Sequence, residues 1–261
     1  MNNLYNKVLN IDNLNKQFDL TKFFSKEESV KKVLNNISLH INRGDIFGLV
    51  GLNGIGKTTL IKIIIGLLKE DGGKVEIFGV AHNKSISRKN ICYLPEKFMP
   101  SQQLTGYEFL GLSLSFYDKK LDRELAREYA NNLDLNPDAL DLTIKKYSKG
   151  MAQKLGLLWC LMSGADLLIL DEPMSGLDPK ARVILKNELK KYVGRDKNKA
   201  IFFSTHILED VEEICNTMAV LNNGSIVYNG KPMDFRKKYN GASMEKSFLK
   251  CINVGVDNNI I

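Results

Sequence analysis

A chain of 261 residues with 44% apolar and 26% charged residues has an ordinary globular composition, enough for one large core with an inserted subdomain. That balance excludes disordered and fibrous classes, and no apolar run approaches the ~20 residues that a membrane-spanning helix needs. The net charge of +7 sits in scattered pairs (Lys31-Lys32, Lys119-Lys120, Lys145-Lys146, Lys190-Lys191, Lys237-Lys238), which read as solvated faces, so no nucleic-acid partner is expected.

Met1–Lys7 lacks the apolar core and small-residue cleavage site of a secretory signal, which predicts a cytoplasmic chain. The stretch between Phe18 and Val33, with its polar run Lys26–Lys32, reads as a loop. Ile37, Leu39 and Ile41 then alternate with Ser38, His40 and Asn42, the pattern of a half-buried strand in an antiparallel sheet. Ile46–Val50 is a short continuous apolar run, expected of a parallel strand buried on both faces. A glycine-rich turn follows, and Thr58–Leu68 predicts a helix. From Thr105 to Met162 only helical patterns appear, over Tyr107–Phe116, Asp122–Leu133 and Lys149–Met162, with Trp159 and Met162 as helix-core residues. Leu167–Leu170 and Ala200–Ser204 read as further buried strands, separated by a helix over Pro179–Tyr192. Strands alternating with helices imply a right-handed parallel α/β sheet, and the all-helical middle is a subdomain inserted into it at about residues 97–162. Near the end, Met244–Lys250 predicts one more helix, within a segment, Lys231–Ile261, whose use the sequence leaves open. The cysteines (Cys92, Cys160, Cys215, Cys251) form no CxxC pair, and His40, His82 and His206 have no ligand spacing, so buried thiols are expected and no zinc site.

The chemistry concentrates in two places. Gly51-Leu52-Asn53-Gly54-Ile55-Gly56-Lys57-Thr58 matches GxxxxGK[ST] between an apolar strand and a helix, where that loop has to lie. Its backbone N–H groups, those of Thr59 and the positive end of the helix can converge on nucleotide phosphates. Lys57 is placed to reach the outer phosphates and the Thr58 hydroxyl to ligate Mg2+. The second place is the end of Leu167–Leu170, where Asp171 and Glu172 follow in succession. Buried strands of such sheets deliver residues to the crevice at their carboxyl ends, so Asp171 is expected to hold Mg2+ through water and Glu172 to polarise an attacking water.

Several further motifs, in order, resemble the ABC-type ATPases. Tyr147-Ser148-Lys149-Gly150-Met151 looks like their signature, and Pro173–Asp178 like the loop after their catalytic acid. Ser204-Thr205-His206 looks like their switch histidine, and Tyr93-Leu94-Pro95-Glu96 stands in the expected place between. The resemblance runs from Val8 to about Leu249 and implies a P-loop α/β fold with a parallel RecA-like core, an N-terminal antiparallel β-subdomain and an inserted α-helical subdomain. It places the ATPase domain at residues 1–240 and a C-terminal helix and tail at 241–261. It also implies ATP and Mg2+ as ligands, and a head-to-tail pair of ATPase subunits, alike or related. In that pair Ser148, Lys149, Gly150 and Asp178 of one chain face the γ-phosphate held by the other. His206 would bond that phosphate, and Phe18 matches the aromatic that stacks on adenine, with Phe23 or Phe24 as alternatives. Three positions depart from the family pattern. Lys149 replaces a glycine, Met151 a glutamine, and Glu96 the glutamine that touches magnesium and the membrane partner. A carboxylate at 96 can still ligate Mg2+ while changing the local charge. The variants resemble a bacterial exporter branch, which implies an integral membrane transporter subunit and a peripheral position on the inner face of the membrane. The alternative function is a soluble ABC-type ATPase acting on nucleic acid or ribosomes, supported only by the positive charge. A P-loop kinase or GTPase explains neither the signature nor His206, and no NKxD motif is present.

Overall fold

The computed structural model describes residues 6–19 and 30–252. Two sheets carry the architecture. The first is antiparallel, in the order β2-β1-β4-β5, from β1 (Lys7–Asp19), β2 (Val30–Asn42), β4 (Gly72–Ile77) and β5 (Val80–Ala81). The second has the order β10-β9-β3-β8-β7-β6, from β3 (Ile46–Val50), β6 (Ile91–Leu94), β7 (Leu167–Asp171), β8 (Ala200–Thr205), β9 (Thr217–Asn222) and β10 (Ser225–Gly230). Its strands run parallel except β10, which pairs antiparallel with β9.

The continuous apolar runs are explained by two cores, one on each face of the second sheet. Phe47, Leu49, Leu167, Ile169 and Phe202 pack toward the antiparallel sheet and α1 (Lys57–Ile64). Their chain neighbours Ile46, Val50, Leu168, Leu170 and Phe203 pack against the helices on the other side. Period-2 side-chain alternation with both faces covered leaves every strand position apolar.

Between β6 and β7 the chain is helical, with α2 (Gly106–Ser115), α3 (Arg123–Asn132) and α4 (Lys149–Ser163), the last two joined through two short 3-10 helices. Each α-helix starts on a side-chain cap: Thr105 in a reciprocal capping box with Glu108, Asp122 on the Leu125 N–H, and Ser148 on the Met151 N–H. Trp159 packs between Phe98 and Phe109, with ring centroids 6.3 and 6.0 Å away. Where α4 meets β6, Cys92 and Cys160 bring their sulfurs to 3.4 Å. The chain is completed by α5 (Pro179–Arg195), α6 (Leu208–Ile214), α7 (Pro232–Tyr239) and α8 (Met244–Ile252).

Two expectations need correction. The polar stretch before Val33 is not all loop, because β2 begins at Val30 and pairs Asp19, Phe18 and Gln17 with Val30, Lys31 and Lys32. Those first β2 residues lie at the outer edge of the sheet and are exposed, so no apolar alternation marks them. Residues 20–29, with Phe23 and Phe24, lie outside the described residues. The first helix is also shorter than the apolar run, since the chain leaves it at Gly66 with φ 73° and Leu67 is exposed.

Candidate functional site

The loop after β3 wraps tightly before α1. Gly56 caps that helix with φ 116°, and a Cβ there would stand 3.0 Å from Val33 Cγ1 and 3.2 Å from its carbonyl oxygen, so both conformation and space demand glycine. No side chain caps α1, which leaves its first N–H groups for a ligand. Lys57 Nζ is buried inside the loop and donates to the carbonyl oxygens of Gly51 at 2.7 Å and Leu52 at 3.3 Å.

The loop borders a cleft of about 510 Å3. Asn53, Gly54, Gly56, Lys57, Thr58 and Thr59 line one side, and Glu96, Glu172 and His206 the other. Beneath it, Thr58 Oγ1 donates to Asp171 Oδ2 at 2.9 Å. Glu172 holds three relations at once. Its N–H donates to Ser204 Oγ at 2.9 Å, its Oε2 lies 2.9 Å from His206 Nδ1, and its Oε1 lies 3.1 Å from Lys57 Nζ. The last is an ionic contact without hydrogen-bond alignment, so the buried Oε1 has no hydrogen-bond donor among the described residues. Burial, reinforced by the charges of Asp171 and Glu96, pushes the neighbouring Tyr93 phenol up to about 12. A wider groove of about 960 Å3 opens beside α6 and α7, around Cys215, Met233 and Arg236, but it contains none of these phosphate-loop or carboxylate groups.

The donor set fits magnesium. Thr58 Oγ1 and the Asp171 carboxylate converge as hard oxygen donors, with Glu96 bordering the same cleft. Among the described residues no cluster of three His, Cys, Asp or Glu side chains could hold a metal alone. Magnesium needs none, because it binds through one or two carboxylates together with waters and substrate phosphates.

The remaining sequence-derived residues do not line this cleft. Ile55 is half-buried within the loop. Phe18 is exposed on β1 opposite Lys31, with Lys16 Nζ 5.3 Å from its ring centre, and is not part of the cleft lining. Ser148, Lys149 and Gly150 open α4 beside the loop that follows Glu172, where an added Cβ at Gly150 would lie 3.9 Å from the Gly176 carbonyl. Asp178 caps α5 through the Ala181 N–H. Sequence reading missed Ser204 as a contributor. Its marks were its place at the end of an apolar strand and at the head of the Ser204-Thr205-His206 motif, neither of which pairs it with Asp171.

The family described as ABC transporter matches residues 34–175, more than half of the chain. The chain belongs to the ABC transporter family. An uncharacterized ABC transporter ATP-binding protein, all4389 of Nostoc sp. strain PCC 7120, is 35% identical over 213 residues, covering 80% of this chain and 62% of that protein. The bacitracin transport ATP-binding protein BcrA of Bacillus licheniformis is 32% identical over 238 residues, covering 88% of this chain and 73% of BcrA. A solved ATP-binding subunit of an ABC transporter superposes with a TM-score of 0.79 at 28% identity, covering 94% of this chain and 99% of that one. The matched part of the chain spans about three fifths of the length of the Nostoc protein and of a second uncharacterized ABC transporter ATP-binding protein, sll0415 of Synechocystis sp. strain PCC 6803. The fold expected from the ABC resemblance, a P-loop core with an antiparallel β-subdomain and helices inserted before β7, is the fold observed.

Proposed function

We propose that this chain is the ATP-hydrolysing motor subunit of an ABC exporter. ATP binds with its phosphates on the loop Gly51–Thr59, where Lys57 exchanges its loop carbonyls for the outer phosphate oxygens. Thr58 and Asp171, with Glu96 at the rim, would hold Mg2+, which neutralises charge on those oxygens when bound. Glu172 polarises the attacking water and takes its proton as the water oxygen bonds the γ-phosphorus and the bond to the β–γ bridging oxygen breaks. His206 holds Glu172 through Oε2 and bonds the γ-phosphate. The products are ADP and inorganic phosphate.

Glu172 carries this reading. Glu172 borders the cleft, and its Oε1 beside Lys57 accepts no hydrogen bond among the described residues, which leaves that oxygen free to take a proton from a water brought in with ATP. In Glu172→Gln, ATP binding should persist while turnover falls about 100-fold or more. Wild-type turnover in that variant would sink the assignment.

The second half of the site comes from another ATPase subunit in this proposal. Ser148, Lys149, Gly150 and Asp178 lie outside the chain's own cleft, and the start of α4 is exposed. A head-to-tail partner brings them to the γ-phosphate. Among the described residues no helix is long and apolar enough to cross a membrane. The transport pathway is assigned to a separate membrane subunit, with the chain peripheral on the inner face and the motion passed on near Glu96 and the helical subdomain. Export is supported by the Tyr93–Glu96 and Tyr147–Met151 variants, and bacitracin transport is named for one relative.

A further inference from the structure

Asp171 and Ser204 are register partners on the adjacent parallel strands β7 and β8. Partners in a ladder send their side chains to the same face, here the one toward α1. Ser204 is fully buried, and its single hydroxyl serves two neighbours. It donates to Asp171 Oδ1 at 2.5 Å and accepts the Glu172 N–H at 2.9 Å. Asp171 is thereby turned so that its other oxygen, Oδ2, meets Thr58. Glu172 has φ 49°, a left-handed conformation that L side chains disfavour and that persists only where the surroundings impose it.

We propose that Ser204 is the positioning residue that sets both carboxylates of the site. With Asp171 Oδ1 engaged, the geometry reserves Oδ2 for Thr58 and Mg2+. With its N–H engaged, Glu172 keeps the left-handed turn that swings its carboxylate back over Lys57. The end of β8 and the residue after it grip Glu172 twice, by its backbone through Ser204 and by its carboxylate through His206. This inference rests on the reading of Glu172 as the group that activates water.

The test compares Ser204→Ala, Ser204→Thr and Glu172→Gln in the full chain. Three quantities are measured: turnover with ATP and Mg2+, ATP affinity in EDTA, and amide exchange at Glu172. A hydrogen bond to a charged group predicts that Ser204→Ala lowers turnover about 10- to 100-fold. ATP affinity in EDTA should stay unchanged, because the phosphate loop is untouched. The Mg2+ concentration for half-maximal turnover should rise, and the Glu172 amide should exchange faster. Ser204→Thr, which keeps the hydroxyl, should recover most of the loss. Wild-type turnover in Ser204→Ala beside an inactive Glu172→Gln overturns the positioning role alone. So does a Thr variant as slow as Ala, or an Ala variant whose ATP affinity in EDTA falls with its turnover. An active Glu172→Gln overturns the base assignment itself, and this proposal with it.

Discussion

The phosphate loop and the start of α4 are both helix N-termini, and they are finished in opposite ways. Gly56 offers α1 no side-chain cap, while Lys57 is buried and Thr58 is tied to Asp171. Ser148 closes α4 on the Met151 N–H, and Ser148 and Lys149 are exposed. An uncapped N-terminus beside a buried lysine leaves donors that an anion can complete. A capped and exposed one is stable by itself and meets a phosphate only when something carries it there. The contrast teaches that one chain holds a prepared phosphate seat and, elsewhere, a finished helix start that the proposed pairing makes the edge of a second one.

The helices that follow Asp178 and His206, α5 and α6, are joined by buried charge, and breaking that joint should have the largest effect on stability. Arg182 lies one helical turn into α5 after Asp178, and Asp210 lies one turn after His206. Their side chains meet at 2.9 Å, with Lys186 also 3.5 Å from the Asp210 carboxylate. Asp210 is almost wholly buried, so Asp210→Ala leaves Arg182 without its carboxylate partner, while Lys186 keeps only Glu213. A loss of about 3–5 kcal/mol in denaturant unfolding is expected, with the m-value unchanged. A loss under about 1 kcal/mol, the range of surface pairs, would show that the joint is ornamental. Lys57→Ala comes next. It removes the buried ammonium from the loop and should weaken ATP binding about 100-fold, as for a charge-assisted hydrogen bond. Titration of a fluorescent ATP analogue reads this directly, and unchanged affinity would break the contrast at its prepared end.

Legibility in the sequence followed burial. β3, β7 and β8 were readable because both faces of their sheet are covered, so every position is apolar. The phosphate loop was readable because its glycines and lysine are fixed by local geometry. In the antiparallel sheet the signal holds over part of β2 and fails elsewhere. Asn13 on β1 and Asn36 on β2 take φ 50° and φ 54°, and register shifts interrupt the pairing four times, so apolar alternation survives only over Ile37–Ile41. β4, β9 and β10 escaped the reading as well. In the site, Asp171 and Glu172 stood out as adjacent acids ending an apolar strand. Ser204 did not, because its importance comes from a partner strand that only the fold supplies. The Arg182–Asp210 pair left a faint trace, each acid-base partner sitting one turn beyond a motif residue.

The smallest expected effect is the most discriminating between the two helix starts. Ser148→Ala deletes the α4 cap, whose Oγ accepts the Met151 N–H at 3.1 Å. Loss of such a cap costs about 1 kcal/mol, well below the Asp210 effect. ATP affinity of the isolated chain should not change, since Ser148 does not border its own cleft. Turnover should fall all the same, because in the proposed pair the hydroxyl and the N–H groups beside it face the phosphate held by the other subunit. Wild-type specific activity should itself decline on dilution, as paired chains separate. Mixing Ser148→Ala with Lys57→Ala separates the explanations, because one mixed pair contains an intact loop facing an intact signature. Recovery of turnover in the mixture, above either variant alone, requires a site shared between chains. Turnover that stays proportional to protein at high dilution, with no recovery on mixing, would place the whole reaction within a single chain.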